Sequence, residues 1–307
     1  MNELLPKNRL RWLTRTVFAC AAFAGAGWVP AATAATNSAA SLRAKYAALG
    51  DQLHHNQFQR TLYLDSAESS RGSRGDIYAL VDYPFAKVNA ALNGPAHWCE
   101  VLILHINTKY CRVSTDKAGS VLAVSIGKKY DQPLDEAYRV EFAYRVAMAM
   151  PDYLEVHLNA ETGPLGTSNY HILLEAVPAE GGRTFLHFTY SYAYGFAGRL
   201  AMQVYLATVG RDKLGFTVIG KQPNGLPDYI GGVRGVVERN TMRYYLAIDA
   251  YLGALAAPPP ERLERRLQSL FTSAEQYPRQ LQEVDRTVYL DMKRSEHLRQ
   301  QTVQVRE

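Results

Sequence analysis

The sequence has 307 residues, of which 47% are hydrophobic and 21% are charged. This composition supplies a sizeable apolar core and excludes a wholly disordered chain. The net charge is +5, but residues 1–34 hold four basic residues and one acidic residue, so the rest of the chain is close to neutral. A nearly neutral body lacks the positive surface that nucleic-acid binding needs, and no nucleic-acid partner is expected.

The first 34 residues have the pattern of a secretory signal peptide. A polar, basic start is followed by the uncharged run Thr16–Val29, and small residues precede a cleavage position near Ala34. The run of 14 residues is shorter than the roughly 20 residues that cross a bilayer, which disfavours an uncleaved anchor. Too few apolar residues precede Cys20 for lipidation there. We therefore expect an exported, periplasmic mature protein.

Cys99 and Cys111 are the two cysteines that remain after cleavage. Because an oxidising compartment permits disulfides, we expect one structural bridge between them, with two free, buried thiols as the alternative. No metal site and no cofactor are expected. The histidines are dispersed, and the adjacent pair His54-His55 would diverge on a helix.

The mature chain begins with a mixture of helices and strands. Residues 35–56 are predicted to form an N-terminal helix, because apolar positions recur every three or four residues. The next segments are a strand at Gln59–Ser66, a flexible turn at Ser69–Gly75, a strand at Ile77–Val81 and a helix starting at Pro84. Residues 96–106 are apolar, and their periodicity fits either a helix or a strand.

An antiparallel meander is predicted from residue 120 to residue 194. Its strands are Ser120–Ile126, Ala137–Met150, Tyr153–Ala160, Ser168–Val177 and Arg183–Tyr194. Period two places an apolar set of side chains on one face; in the second strand this set is Val140, Phe142, Tyr144, Val146 and Met148. A face this apolar must be covered by another layer.

The layer that covers this apolar face is the longest predicted helix of the chain. It is predicted over Asp228–Leu255, and a proline run at residues 258–260 ends it. A further strand is expected at Leu214–Ile219. The predicted fold class is therefore α+β, a helix-grip arrangement in which a curved antiparallel β-sheet wraps around one long C-terminal helix. A helical C-terminal appendage follows over residues 257–307.

The order of these elements resembles that of the START/SRPBCC (Bet v 1-like) superfamily. The resemblance covers residues 57–256 and is carried by GDIYALVDYPFAKVNAALNGPAHWCEVL, the meander and GGVRGVVERNTMRYYLAIDAYL. It implies a hydrophobic cavity between the sheet and the long helix that binds lipids or other apolar molecules, with aromatase/cyclase enzymes as a minority branch. Residues 196–209 depart from the family layout, as an inserted helix or a continued strand.

Candidate ligand-binding residues face that cavity from both the sheet and the helix. They are Phe142, Tyr144, Val156, Tyr190, Tyr192, Val233, Val237, Asn240 and Tyr244. Asn240 interrupts an apolar stripe, so it needs a polar partner inside the protein. It is either a satisfied core amide or, with Tyr144 and Tyr190, the group that fixes the polar end of an apolar ligand.

No catalytic motif is recognised, because the sequence lacks a nucleophile elbow, a P-loop and a dinucleotide fingerprint. A second polar set would form acid/base pairs across neighbouring strands; its members are Glu155, His157, His171 and Glu175. Strand alternation places this set on the sheet face opposite the apolar layer, which favours ordinary exposed polar residues.

Three classes of function compete. The preferred one is an exported carrier or sensor that holds an apolar, lipid-like small molecule without covalent chemistry. The alternatives are a cyclase-like or hydrolase-like enzyme acting on an apolar substrate in the same cavity, and a structural envelope-assembly protein whose interior is filled by its own side chains. The amphipathic stripes of residues 257–307 fit helices docked on the domain or a surface for a membrane or protein partner.

Overall fold

The computed structural model describes residues 31–208, 210–211 and 213–305. Of the signal peptide predicted over residues 1–34, residues 1–30 lie outside the described residues. No helix of the described segments combines the length and the apolar character needed to cross a membrane.

The described chain mixes helices and strands up to residue 229 and is mainly helical after it. The strands are β1 (Leu62–Ser69), β2 (Gly72–Val81), β3 (Thr108–Asp116), β4 (Gly119–Ile126), β5 (Tyr138–Met150), β6 (Tyr153–Thr162), β7 (Thr167–Ala179), β8 (Arg183–Tyr194), β9 (Val218–Lys221) and β10 (Pro227–Tyr229). The helices are α1 (Ala31–His54), α2 (Phe85–Leu92), α3 (Pro95–Leu102), α4 (Phe196–Ala207), α5 (Gly232–Gly253), α6 (Pro259–Glu275), α7 (Pro278–Leu281) and α8 (Arg286–Val305).

Strands β1 to β8 form one antiparallel sheet in the order β1-β2-β8-β7-β6-β5-β4-β3. Helix α5 lies against one face of this sheet, where it contacts β1, β2 and β8, and α2 and α3 contact neighbouring strands. We call this side the inner face and the other side the outer face. The predicted α+β helix-grip fold, with its meander, its long helix and its helical C-terminal region, is confirmed.

Alternating apolar residues build the core on the inner face. Val156 and Leu158 of β6, Ile172 of β7 and Phe188 of β8 are at most 1% exposed, and they belong to the same cluster as Val237 of α5. Complete burial of such a side chain contributes about 1.5–3 kcal/mol. This layer is therefore a main driving force for packing α5 on the sheet.

Helix α1 packs on the outer face. Leu49 and Leu53 of α1 are buried in a second cluster together with Tyr153 and Phe185 of the sheet. The ring of Tyr46 lies 4.6 Å from the ring of Phe185. The periodicity of residues 35–56 predicts this helix, but it does not indicate which surface the helix covers.

Met148 lies on the outer face, and its predicted place on the inner face is wrong. A β-bulge between Val146 and Met148 inserts one residue into β5, after which Met148 pairs with Glu155 of β6. One inserted residue reverses the alternation of side chains. Met148 consequently packs with the outer-face cluster.

Several other predicted elements have different boundaries in the structure. Residues 72–75, expected in a flexible turn, belong to β2 and pair with both β1 and β8. The strand expected at Leu214–Ile219 is the shorter β9, which pairs with β10 in a separate two-stranded sheet. Because this hairpin extends to Tyr229, α5 begins at Gly232 and is shorter than predicted. Residues 96–106 and 196–209, which the sequence left open, contain the helices α3 and α4.

The predicted disulfide between Cys99 of α3 and Cys111 of β3 is present. The Cα atoms of the two cysteines are 5.2 Å apart, within the usual range for a bridge. The sequence separation is 12 residues, for which loop closure contributes about 3 kcal/mol. The bridge attaches α3 to a strand at the edge of the sheet.

The C-terminal helices dock on the same domain. Leu267 of α6, Leu281 of α7 and Tyr289 of α8 belong to the inner-face core. Helix α8 covers β3, and Oε1 of Gln300 accepts a hydrogen bond from the backbone N–H of Cys111 at 3.0 Å. Such a contact satisfies a donor that an edge strand otherwise leaves open.

A buried group of charges fixes α8 to the sheet. The carboxylate of Glu296 lies 2.8 Å from Nζ of Lys109 and 2.7 Å from Nζ of Lys293, and these three side chains are at most 1% exposed. Lys293 also donates to the carbonyl oxygens of His105 and Thr108 at 2.6 and 2.7 Å. The two ammonium groups therefore depend on one carboxylate.

Candidate ligand-binding interior

An aromatic layer lies between the inner face and α5. The ring of Tyr244 lies 5.2 Å from that of Tyr190, which lies 5.8 Å from that of Tyr192. Tyr170 stacks on Tyr192 at 5.5 Å and meets Phe142 edge-on at 6.3 Å. Each of these five residues is at most 9% exposed. They form one continuous layer across β5, β7, β8 and α5.

Most of the predicted ligand-binding residues come together in this region. The buried members of the inner-face core are Phe142, Val156, Tyr190, Tyr192, Val237 and Tyr244. Tyr144 and Val233 are half-buried and pack against that core, and Asn240 is half-buried. The structure therefore gathers eight of the nine predicted residues around this core, and their role in ligand binding stays a prediction.

Asn240 contacts its own helix. Nη1 of Arg243 donates to Oδ1 of Asn240 at 3.5 Å, and the hydroxyl of Tyr144 donates to the carbonyl oxygen of Leu92 at 3.5 Å. These two contacts involve Oδ1 of Asn240 and the hydroxyl of Tyr144, two of the polar atoms that the sequence assigned to the polar end of a ligand. The role of Asn240, as a core amide or as part of a ligand contact, stays a prediction.

The hydroxyl of Tyr192 is buried and has no hydrogen-bond partner among the described residues. By contrast, the hydroxyl of the neighbouring Tyr170 lies 2.7 Å from Oγ1 of Thr167. Burial raises the pKa of Tyr192 even though the charge of Arg239 acts to lower it, so the hydroxyl keeps its proton at neutral pH. A buried hydroxyl without a partner costs about 1–3 kcal/mol. The Tyr192 hydroxyl is therefore a polar group of the layer that could accommodate a further hydrogen-bond partner.

Helix α4 covers the end of the interior at which β8 ends. It contacts the turn Pro164–Gly166, β8 and α5, and its Met202 packs against the inner-face core. A Cβ atom on Gly198 would lie 2.6 Å from a carbonyl oxygen of that turn. The outward residues Leu200 and Val204 are 53% and 58% exposed. The helix thus packs on the core through Met202 and exposes two apolar side chains, Leu200 and Val204, to solvent.

The second polar set lies on the outer face, as the alternation predicts. Nε2 of His157 is 2.6 Å from Glu155. The hydroxyl of Tyr153 lies 2.8 Å from Glu155 and 2.6 Å from Glu175, and it donates its single proton to one of these carboxylates at a time. His171 pairs outside this group. The set is remote from the aromatic layer because the sheet itself separates the two.

His187 and Asp76 extend this outer network. Nδ1 of His187 is 2.8 Å from Glu175, and Nε2 is 2.8 Å from Asp76. Burial lowers the pKa of His187, but hydrogen bonds and charges from both carboxylates raise it overall. Burial raises the pKa of Asp76, whereas hydrogen bonds from His187, Arg74 and Thr189 lower it to about 2. With its carboxylates already paired, this network stabilises the sheet and does not resemble an open acid/base site.

The fold and the aromatic layer define a helix-grip protein with a tyrosine-lined interior. No protein-family model and no curated protein matches the sequence.

Several solved structures are similar to the chain, all at low identity. One is a point mutant of norcoclaurine synthase from Thalictrum flavum, with 12% identity, a TM-score of 0.32, and coverage of 46% of this chain and 86% of that chain. Another is human StAR-related lipid transfer protein 5, with 8% identity, a TM-score of 0.29, and coverage of 57% and 90%. A third is a conserved protein from Geobacillus kaustophilus, with 16% identity, a TM-score of 0.30, and coverage of 45% and 85%.

These structures include a Bet v 1-like protein and a StAR-related (START) protein, the two groups that the sequence resembles. Similarities at this level assign no activity. The functional proposal therefore rests on the residues of the chain itself.

Proposed function

We propose that the protein is an exported binding protein, a carrier or sensor, that holds an apolar, lipid-like molecule in the interior between the inner face and α5 without covalent chemistry. The observation that supports this most directly is the unpaired hydroxyl of Tyr192 inside an aromatic layer. A ligand with an apolar body and one polar end would pack against the rings and give this hydroxyl its partner.

Entry of such a ligand requires a movable cover, because the rings of the aromatic layer are already in contact with one another. Helix α4 suits this role, since it is inserted between β8 and β9 and packs on the core through Met202. Displacement of α4 from the turn Pro164–Gly166 would open the end of the interior next to Tyr192. The helix therefore acts as a lid in this proposal.

Two observations support export. The leader of residues 1–34 has the composition of a signal peptide. The disulfide between Cys99 and Cys111 is a feature of proteins that mature in oxidising compartments. In a bacterial cell these two features favour the periplasm.

The decisive experiment replaces Tyr192 by phenylalanine. Removal of an unpaired hydroxyl leaves the ligand-free protein as stable as the wild type or more stable, yet it removes the contact to the polar end of a ligand. We expect the affinity for the fluorescent fatty acid 11-(dansylamino)undecanoic acid to fall about fivefold or more, while the urea midpoint stays constant or rises.

Tyr170→Phe is the matched control, because its hydroxyl is paired with Thr167 and its loss should lower stability. If Tyr192→Phe destabilises the protein and binds the probe as the wild type does, the hydroxyl is structural and the proposal fails. Organic extraction and mass spectrometry of protein purified from its exporting cell would identify the natural ligand. Conversion of that ligand by the pure protein would favour the enzyme alternative.

A further inference from the structure

A second cavity lies between α2, α3, the end of α5 and the start of α6. Its volume is about 460 Å³, which falls within the range of roughly 300–1,000 Å³ that is typical of small-molecule sites. None of the described residues that line it belongs to the aromatic layer. The cavity is therefore distinct from the interior between the inner face and α5.

Much of the cavity wall is apolar. The aliphatic residues in the wall are Ala90, Ala91, Leu252, Leu255 and Ala256, and the rings of Tyr83 and Tyr251 add to them. Burial is the main cause that raises the pKa of each of these tyrosines to about 12, so both hydroxyls keep their protons at neutral pH. This part of the wall offers packing surface to an apolar group and carries no charge.

Three basic side chains complete the wall: Lys87 of α2, His97 of α3 and Arg262 of α6. Lys87 and His97 are exposed and Arg262 is half-buried, so each of them has surface open to a ligand. Among the described residues, the side chain of Lys87 has no hydrogen bond or ion pair. Nε of Arg262 donates to the carbonyl oxygen of Ala257 at 2.9 Å, and its two Nη atoms stay available.

The cavity wall lacks a counter-ion for these cations, since none of its described residues is acidic. The acidic residues nearby in sequence are engaged elsewhere. Asp82 lines a neighbouring depression, and the other three are paired with different arginines: Glu100 with Arg266, Asp249 with Arg60 and Glu261 with Arg265. Lys87 and Arg262 therefore lack a carboxylate partner.

The end of α5 supplies only part of the missing negative charge. A helix C-terminus is negative because its last carbonyl oxygens are open. Here the carbonyl oxygens of Ala250, Tyr251 and Leu252 accept hydrogen bonds from the backbone of Ala254 and Leu255, each at 3.3 Å. These bonds reduce the attraction of the helix end for cations. An anion bound in the cavity would be stabilised by the unpaired basic groups.

We propose that this cavity binds a small organic anion, whose apolar body packs on Ala91, Leu252 and Leu255 and whose anionic group lies at Lys87 and Arg262. A guanidinium can bind a carboxylate through two parallel hydrogen bonds, and the Nη atoms of Arg262 are suited to this. The site is separate from the interior described under Proposed function and does not depend on that function.

The test uses the full mature protein and the dye 8-anilinonaphthalene-1-sulfonate, an anion whose fluorescence rises in apolar surroundings. We expect 2-naphthoate to displace the dye and neutral 2-naphthamide to do so about tenfold more weakly or less, because the amide cannot pair with the cations. Lys87→Gln and Arg262→Gln should each lower the affinity for the dye about threefold to fivefold, the size expected for a partly exposed charge pair. The double variant should lose about tenfold.

Lys117→Gln is the matched control, because it removes the same charge from an exposed residue that does not line the cavity. Ala256→Phe fills the cavity without a change of charge and should weaken dye binding about tenfold. Tyr192→Phe alters only the interior and should bind the dye as the wild type does. The proposal is overturned if 2-naphthoate does not displace the dye, if 2-naphthamide displaces it equally well, or if the double variant and Ala256→Phe both bind the dye with wild-type affinity.

Discussion

Gly75 of β2 lies directly beneath the side chain of Thr241 of α5, so that a Cβ atom at position 75 would overlap the threonine side chain. Thr241 is fully buried and donates to the carbonyl oxygen of Val237 at 2.7 Å. A shift of the Thr241 hydroxyl away from position 75 would disturb this hydrogen bond. The absence of a side chain at Gly75 therefore permits the close approach of α5 to the sheet.

Gly75→Ala should consequently destabilise the protein by about 1–3 kcal/mol, the usual effect of overpacking a tight core contact. Urea denaturation measures the change. Gly50→Ala is the matched control, because this glycine lies in α1 with no other atoms near its Cβ position, and alanine in a helix should stabilise by about 0.5–1 kcal/mol. Equal midpoints for the two variants would contradict the proposed contact.

The second prediction tests whether α4 acts as a lid over the interior. In Gly198→Ala the new methyl group would approach the carbonyl oxygen of Gly166 too closely, and the helix must shift away from the turn. We expect faster proteolysis within α4 and faster uptake and release of the dansyl fatty acid, with little change in far-UV circular dichroism.

Gly195→Ala serves as its control, since no atoms lie within 4 Å of the added Cβ at Gly195. This variant should bind the probe at the wild-type rate. If Gly198→Ala also does so, α4 does not control access to the interior.

Period-two alternation predicts most of the fold and much of the candidate site. Phe142, Tyr190 and Tyr192 lie on the inner face as expected, and Tyr170 could have been added, because it has the same parity in β7 as the buried Ile172. Alternation fails at Met148 because the bulge that reverses it depends on the pairing of two strands. A single strand carries no sign of such an insertion.

The unpaired hydroxyl of Tyr192 could not be predicted from the sequence. Whether this hydroxyl has a hydrogen-bond partner depends on groups that are distant in sequence. The same is true of one of the two lysine partners of Glu296, because Lys109 comes from β3. An amphipathic stripe in residues 257–307 predicts docking, but the buried charges that fix α8 require the folded structure.

Glu296→Gln should detach or loosen α8. The substitution leaves Lys109 and Lys293 buried without a carboxylate, and breaking a buried pair in this way costs about 3–5 kcal/mol. The amide hydrogen of Cys111, which bonds to Gln300 of α8, should exchange with solvent faster. Both urea denaturation and hydrogen exchange report the effect.

The control for this variant is Glu261→Gln, which removes an exposed pair with Arg265 in which the side chains are 52% and 61% exposed. Such a pair contributes at most about 1 kcal/mol. Similar losses in the two variants, or an unchanged exchange rate at Cys111, would show that Glu296 does not hold α8.

The last prediction concerns acid stability and Asp76. Its folded-state pKa of about 2 is below the ordinary 3.8, so its contribution to stability is present above pH 3.8 and is lost as the pH falls toward 2. The shift corresponds to about 2 kcal/mol. Asn cannot titrate, and His187 is protonated throughout this range. Asp76→Asn should therefore be less stable than the wild type at pH 5, and the difference in stability should narrow between pH 4 and pH 2.

Urea denaturation at several pH values in this range measures the difference. Glu180→Gln is the control, because Glu180 is exposed. If Asp76 were not linked to folding, the urea midpoints of Asp76→Asn and the wild type would differ by the same amount at every pH.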